Sequence, residues 1–127
     1  MATWDDVRRL ALALPETSEA ETELAWNVKG KGFAWERPLR KKDLADLGAA
    51  APDGPILCVR TPGVGAKETL LADSPQIYFT TPHFNGYPAV LVRLGEIGAD
   101  ELAEILEEAW LAVAPKRLAK EYLAERA

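Results

Sequence analysis

The clearest pattern in the chain is an apolar stripe with helical spacing near its C-terminal end. Residues three or four positions apart share one side of a helix, so the pattern predicts a helix packed against a core. The stripe consists of Leu102, Ile105, Leu106, Ala109, Trp110 and Val113. Carboxylates occupy the other side, and Pro115 stands where a further helical segment over 116–123 can begin.

Three shorter helices are predicted earlier in the chain. Thr3 is a suitable N-cap for the first, because its hydroxyl can accept a hydrogen bond from the first turn. Apolar residues then follow helical spacing until Pro15 stops the helix. The other two are predicted over 42–47 and 66–72.

Short apolar and aromatic runs predict strands between these helices. Gly30 and its neighbours separate the first two runs, which is a hairpin signal. Because side chains alternate along a strand, we expect Phe33 and Trp35 to share one face. The five predicted strands span 24–29, 33–37, 56–60, 76–80 and 89–94.

The order of these elements predicts the fold class. Strands grouped on either side of a short helix favour an α+β fold of two layers, with an antiparallel sheet of about five strands and helices packed on one face. The acidic stretch 16–23 is interpreted as a linker or solvated turn, and 38–55 as an excursion on the surface. At 127 residues, a single domain over 1–127 is expected.

Charge is unevenly distributed along the chain. The net charge of -5 disfavours non-specific nucleic-acid binding, which depends on neutralising phosphates. Residues 29–42, however, hold six basic residues and one acid, and 96–108 hold six acids and no base. Apolar runs are too short to span a membrane, and the N-terminus is acidic where a signal peptide would be basic. We therefore expect a cytoplasmic protein.

Several chemistries are disfavoured by composition. With one histidine and one cysteine, a structural zinc site lacks ligands, and neither a metal nor a cofactor is expected. Cys58 is interpreted as a small buried hydrophobe, and its pairing with His83 as a catalytic dyad is disfavoured. Gly63 and Gly65 resemble the start of a dinucleotide fingerprint, but Glu68 replaces its third glycine.

The loop between the last two strands holds the most distinctive side chains. His83 is either a general base, a ligand contact or a loop histidine bonded to the backbone. Nearby aromatic residues, with tryptophans from other strands, either line a pocket or belong to the core. The candidate pocket residues are Trp26, Trp35, His83, Phe84 and Tyr87.

Three stretches of the chain resemble the MmcQ/YjbR family of bacterial-type proteins. They are GKGFA at 30–34, TTPHFNGYPAVLV at 80–92 and AWLAVAPKRL at 109–118. The resemblance implies a compact α/β fold similar to that of type III secretion chaperones. It also implies DNA binding, a label often given to members on the basis of a proposed double-wing arrangement. It supplies no catalytic residues, and 38–54 departs from the family pattern.

Three functions follow as hypotheses. The first is a DNA-binding module, which requires its basic side chains to form one continuous surface. These residues are Arg37, Arg40, Lys41, Lys42, His83, Arg93, Lys116, Arg117 and Lys120. The second is a protein that binds a small molecule, a peptide or a protein partner in a pocket near 80–88. The third is an enzyme that uses His83.

Overall fold

The computed structural model describes residues 2–52 and 54–126. Met1 and Ala127, the ends of the predicted domain, and Asp53 within the predicted excursion lie outside the described residues. The helices are α1 (Trp4–Leu12), α2 (Lys41–Leu47), α3 (Val64–Asp73), α4 (Ala99–Val113) and α5 (Lys116–Arg126). The strands are β1 (Thr17–Glu19), β2 (Ala25–Val28), β3 (Lys31–Glu36), β4 (Ile56–Arg60), β5 (Tyr78–Phe79) and β6 (Ala89–Arg93).

The six strands form one antiparallel sheet in the order β1-β2-β3-β4-β6-β5. Side-chain alternation in β4 defines its two faces. Leu57 and Val59 point to what we call the first face, and Ile56 and Cys58 point to the second face. The predicted α+β class and its antiparallel sheet are confirmed, with six strands where about five were expected. The helices are not confined to one face, because α2 packs on the second face through Leu47.

The first face carries the larger core. The predicted stripe of α4 is confirmed, and its residues from Leu102 to Trp110 are buried against the sheet. The Trp110 indole Nε1 donates a hydrogen bond to the carbonyl of Pro15, 3.0 Å away, which ties α4 to the end of the α1 segment. α5 joins the same core through Leu118 and Tyr122. Thr3 and Asp6 cap α1 reciprocally, as a capping box.

The second face carries a smaller core, which the predicted surface excursion helps to cover. Leu39 and Leu47 pack against Ile56, Cys58 and their neighbours. Phe84, from the turn after β5, closes the same cluster and is only 6% exposed. Segment 38–52 is therefore part of a second, partial layer on this face of the sheet.

Two local predictions were wrong. Phe33 packs in the first core while Trp35 packs against the second, because a β-bulge shifts the β2–β3 register. The segment 16–23, predicted as a linker, contains β1. This strand is polar, and Glu19 anchors it by accepting hydrogen bonds from Arg8 Nε (2.8 Å) and Trp26 Nε1 (2.9 Å).

A tight turn joins β2 to β3. Val28 pairs with Lys31, so Lys29 and Gly30 form a two-residue loop. Both have positive φ, 50° and 81°, which is the backbone of a type I′ turn and matches the twist of the strands. Across the described residues, no helix combines the length and apolar character needed to cross a membrane.

Candidate ligand-binding cleft

A cleft of about 760 Å³ opens on the second face, where the chain leaves β3 and meets the turn after β5. We call it the β3 cleft. Its polar and aromatic lining comes from three separate parts of the chain, which the antiparallel sheet brings together. The lining residues are Glu23, Trp35, Glu36, Arg37, Pro38, Arg40, His83, Phe84 and Tyr87.

One wall of the cleft is fixed by an ion pair. Arg37 Nη2 lies 3.0 Å from Asp43 Oδ2, and the two side chains are 11% and 5% exposed. The backbone N–H of Arg40 donates to the same carboxylate oxygen at 2.9 Å. This backbone hydrogen bond, together with the charge of Arg37, lowers the pKa of Asp43 below its ordinary value. The pair holds the N-terminus of α2 beside the end of β3.

The opposite wall is the turn after β5, and a buried lysine holds it. The Lys67 ammonium donates to the carbonyl of Phe84 at 2.5 Å and to that of Tyr87 at 3.1 Å. Lys67 is 4% exposed, and burial lowers its pKa because the ammonium loses water. Gly86 has φ of +77°, which lets the backbone turn between these two carbonyls.

Two arginine side chains pack on the aromatic rings of this wall. The Arg37 guanidinium lies 5.4 Å from the centre of the Phe84 ring, and Arg60 lies 5.3 Å from that of Tyr87. His83 meets the Phe84 ring edge-on, with centres 5.1 Å apart. Tyr87 remains 41% exposed, so this wall presents a large amphipathic surface to whatever enters.

The structure brings together four of the five predicted pocket residues. Trp35, His83, Phe84 and Tyr87 all line the β3 cleft. Trp26 does not: it is fully buried in the first core, where its ring stacks with that of Trp4 at 6.4 Å. The alternation of β2 places Trp26 on the face opposite to the cleft.

The predicted nucleic-acid residues fall into three groups. Arg37, Arg40 and His83 line the β3 cleft, with Lys41 and Lys42 next to them in α2. Arg93 lies at the end of β6, with its guanidinium 4.5 Å from the centre of the Phe79 ring. The remaining three belong to α5, which packs on the first face: Lys116, Arg117 and Lys120. The basic residues of α2 and α5 therefore lie on opposite sides of the sheet.

Five residues of the site were not predicted from the sequence: Glu23, Glu36 and Pro38 in the lining, and Asp43 and Lys67, which hold its two walls. Asp43 stands three positions after Arg40, the spacing of an acid that caps a helix start, and that signal was available. Lys67 had no such signal, because a lysine in a short helix is typical of an exposed surface. Its role depends on a turn 17 and 20 residues further along the chain.

Among the described residues, neither an ionised thiol nor a cluster of three metal ligands is found. Cys58 is buried in the second core, and the loss of solvent raises its pKa to about 12. Its thiol is therefore protonated near neutral pH and is not a nucleophile for a dyad with His83. Within residues 2–52 and 54–126, no three histidine, cysteine or acidic side chains converge as metal ligands.

Comparisons with known proteins place the chain among uncharacterized relatives. A model described as YjbR matches residues 12–112, a span that contains every residue lining the cleft. The uncharacterized proteins Rv2570 of Mycobacterium tuberculosis and Mb2600 of Mycobacterium bovis are each 53% identical to it over 127 residues, covering 98% of this chain and 98% of their own. The crystal structure of Deinococcus radiodurans protein DR2400, with family-model domain DUF419, aligns with a TM-score of 0.67 and 25% identity, covering 95% of this chain and 88% of that one.

Proposed function

The chain belongs to the YjbR family, and from that premise we propose that it is a binding protein whose β3 cleft holds an organic ligand. One observation carries the proposal: three aromatic side chains and the exposed guanidinium of Arg40 converge on a single concavity. Ligand sites are typically concave, lined by apolar and aromatic groups, and supplied with a few oriented polar groups. The cleft volume of about 760 Å³ falls within the range such sites occupy.

The charges around the cleft favour a ligand with one localised anionic group over a polyanion, because the carboxylates of Glu23 and Glu36 also line it. The charge of Arg37 is already matched by Asp43. Among the described residues, Arg40 has no ion-pair partner, and its side chain is exposed at the rim. A single carboxylate or phosphate could pair with Arg40 while an apolar part of the ligand contacts Tyr87 and Trp35.

Ligand screening by thermal shift tests this function. Aromatic acids and short peptides form the panel, since a ligand that binds only the folded chain raises its melting temperature. Tyr87→Ala should lower the affinity of any hit by about tenfold, the effect of losing an aromatic contact. Leu123→Ala, an equally exposed apolar change on α5, is the matched control and should leave affinity unchanged. A broad panel without a hit, or a hit insensitive to Tyr87→Ala, would contradict the proposal.

Duplex DNA is the second candidate ligand, through the basic residues beside the cleft alone, because those of α5 lie on the opposite side of the sheet. Arg40, Lys41 and Lys42 are consecutive, exposed and without ion-pair partners among the described residues. Binding through them should weaken steeply as salt is added, because each phosphate contact releases counterions. Fluorescence anisotropy should then show weaker binding for Lys41→Gln/Lys42→Gln than for Lys116→Gln/Lys120→Gln, which changes the opposite face. Absence of binding at low salt would remove this candidate.

A further inference from the structure

The β3 cleft does not end at Trp35. A second depression of about 500 Å³ continues beyond it over the part of the second face that segment 38–52 leaves uncovered. The two depressions share Glu23, Trp35, Glu36 and Pro38, so together they form one elongated groove, which we call the β3 groove. It runs from the turn at 83–87, across Trp35, to Gly32 and Asn27.

At Gly32 no side chain rises from β3 into the β3 groove. A Cβ at this position would stand 3.3 Å from Asn27 Oδ1 and 3.8 Å from the Trp35 ring. The absence of a side chain therefore leaves a shallow track between Asn27 and Trp35. An extended chain is the kind of ligand that follows such a track.

Two half-buried polar side chains on this track are open to a ligand. Among the described residues, neither the Trp35 indole Nε1–H nor the Asn27 side-chain amide makes a hydrogen bond within the chain. The buried tryptophans behave differently, since Trp26 and Trp110 both donate through Nε1. Trp35 thus offers a donor, and Asn27 both a donor and an acceptor, which are the groups that a peptide backbone complements.

The charges of the groove are placed asymmetrically. Arg40 and the imidazole of His83 lie at the end near the turn, and the lining residues that belong to the far end alone carry no charge: Leu24, Ala25, Asn27 and Gly32. Glu23 and Glu36 line both depressions and so lie in the middle, where their carboxylates would repel a ligand that carries phosphate at every step. A ligand with one terminal anion and a neutral body avoids that repulsion.

We propose that the β3 groove binds an extended peptide by its C-terminal carboxylate. The carboxylate lies at Arg40 and His83, and the last side chain lies between Trp35 and Tyr87. The preceding backbone amides face Trp35 Nε1 and Asn27. This inference rests on the proposed function, since it names the class of ligand for the same site.

The experiment compares two synthetic pools of pentapeptides that differ only at the C-terminus, one as free acid and one as amide. Titration into the ¹⁵N-labelled chain should shift the Trp35 indole and Asn27 side-chain signals. The free acid should half-saturate at about a tenfold lower concentration, the effect of a charge-assisted hydrogen bond. Arg40→Gln should bring the acid-to-amide ratio close to one. Arg117→Gln, on the opposite face, should leave the ratio unchanged.

A second variant, at Asn27, keeps the proposal testable if Arg40→Gln does not fold. Asn27→Ala should weaken both pools by about fivefold and preserve their ratio, because it removes a contact to the backbone and not to the carboxylate. Equal binding of acid and amide would overturn the peptide-terminus inference while leaving the cleft a ligand site. If small aromatic acids bind but neither peptide pool shifts the Trp35 signal, the peptide-terminus inference is overturned and the proposed function is not. Failure of every ligand would overturn the proposed function as well.

Discussion

Arg37 Nη2 lies 3.0 Å from Asp43 Oδ2, and this ion pair joins the end of β3 to the first turn of α2. Because the two side chains are 11% and 5% exposed, the pair is largely shielded from water. The same carboxylate accepts the N–H of Arg40, which sets where α2 begins. Asp43 therefore determines the position of Arg40, the exposed cation at the rim of the β3 cleft.

Asp43→Asn should destabilise the chain by about 2 kcal/mol, because it leaves a nearly buried guanidinium without its counter-charge. Asparagine keeps the size of the side chain, so the loss measures charge and hydrogen bonding more than packing. Urea unfolding followed by circular dichroism gives the free energy of unfolding. Asp46→Asn, an exposed change in the same helix, is the matched control and should stay within about 0.5 kcal/mol of the parent chain. Equal unfolding midpoints for the two variants would contradict this role.

The same carboxylate makes stability depend on pH in the acid range. The pKa of Asp43 is lowered in the folded chain, so its contribution to stability is complete above about pH 4, near the pKa of an unfolded aspartate. The contribution is lost as the pH falls through the lower folded value. The gap in unfolding free energy between the parent and Asp43→Asn should therefore be constant at pH 6–7 and shrink below about pH 4. Urea titrations at stepped pH measure it, and a gap that persists to about pH 2 would show that Asp43 stays unprotonated or acts by packing.

Much of the fold could be predicted because its signals are local. The stripe of α4 follows the helical period, and the continuous apolar runs of β4 and β6 are typical of strands buried on both faces; the structure confirms both. β1 could not be predicted, because three polar residues carry no apolar pattern. β1 is held in place by hydrogen bonds that Glu19 accepts from side chains of other elements, Arg8 of α1 and Trp26 of β2. The bulge at Phe33 could not be predicted either, because it depends on how β2 and β3 pair.

The site divides in the same way. His83, Phe84 and Tyr87 lie in one turn, so their proximity could be predicted from the sequence. Trp35 and Trp26 were indistinguishable as strand aromatics, and only the faces of the sheet separate the cleft residue from the core residue. Lys67 was missed because its burial is set by the distant carbonyls that it bonds.

Lys67→Met should loosen the turn that forms one wall of the β3 cleft. Methionine fills a similar volume but removes the ammonium donor from the carbonyls of Phe84 and Tyr87, which keep only their backbone donors, at a cost of about 1 kcal/mol. Hydrogen exchange of the Tyr87 amide, which donates to Phe84, should become faster than that of amides in β4. Lys120→Met, an exposed lysine on α5, controls for loss of charge. An unchanged exchange rate at the Tyr87 amide would show that the turn is stable without the hydrogen bonds from Lys67.

Gly30→Ala should destabilise the β2–β3 hairpin by about 1 kcal/mol, because φ of 81° is strained for any residue with a Cβ. A Cβ at Gly30 would meet no atom within 4 Å, so the cost is conformational and not a clash. Gly95→Ala is the matched control, since its surroundings are equally open and its φ is not positive. Thermal unfolding of both variants checks this. A Gly30→Ala chain as stable as Gly95→Ala would contradict the turn geometry.

Cys58 should be almost unreactive in the folded chain. Burial raises its pKa to about 12, so at pH 8 the folded chain holds far less thiolate than the unfolded chain, in which the thiol is exposed to water. Because the sequence has a single cysteine, colour development with a thiol-reactive disulfide reagent reports this residue alone. The reaction should be more than about a hundredfold slower without urea than in denaturing urea, since both ionisation and access are lost. As the urea concentration rises, the labelling rate should increase over the same range in which the circular dichroism signal is lost. Rapid labelling of the folded chain would mean that the second core opens independently of global unfolding, and that Leu39, Leu47 and Phe84 cover Cys58 only loosely.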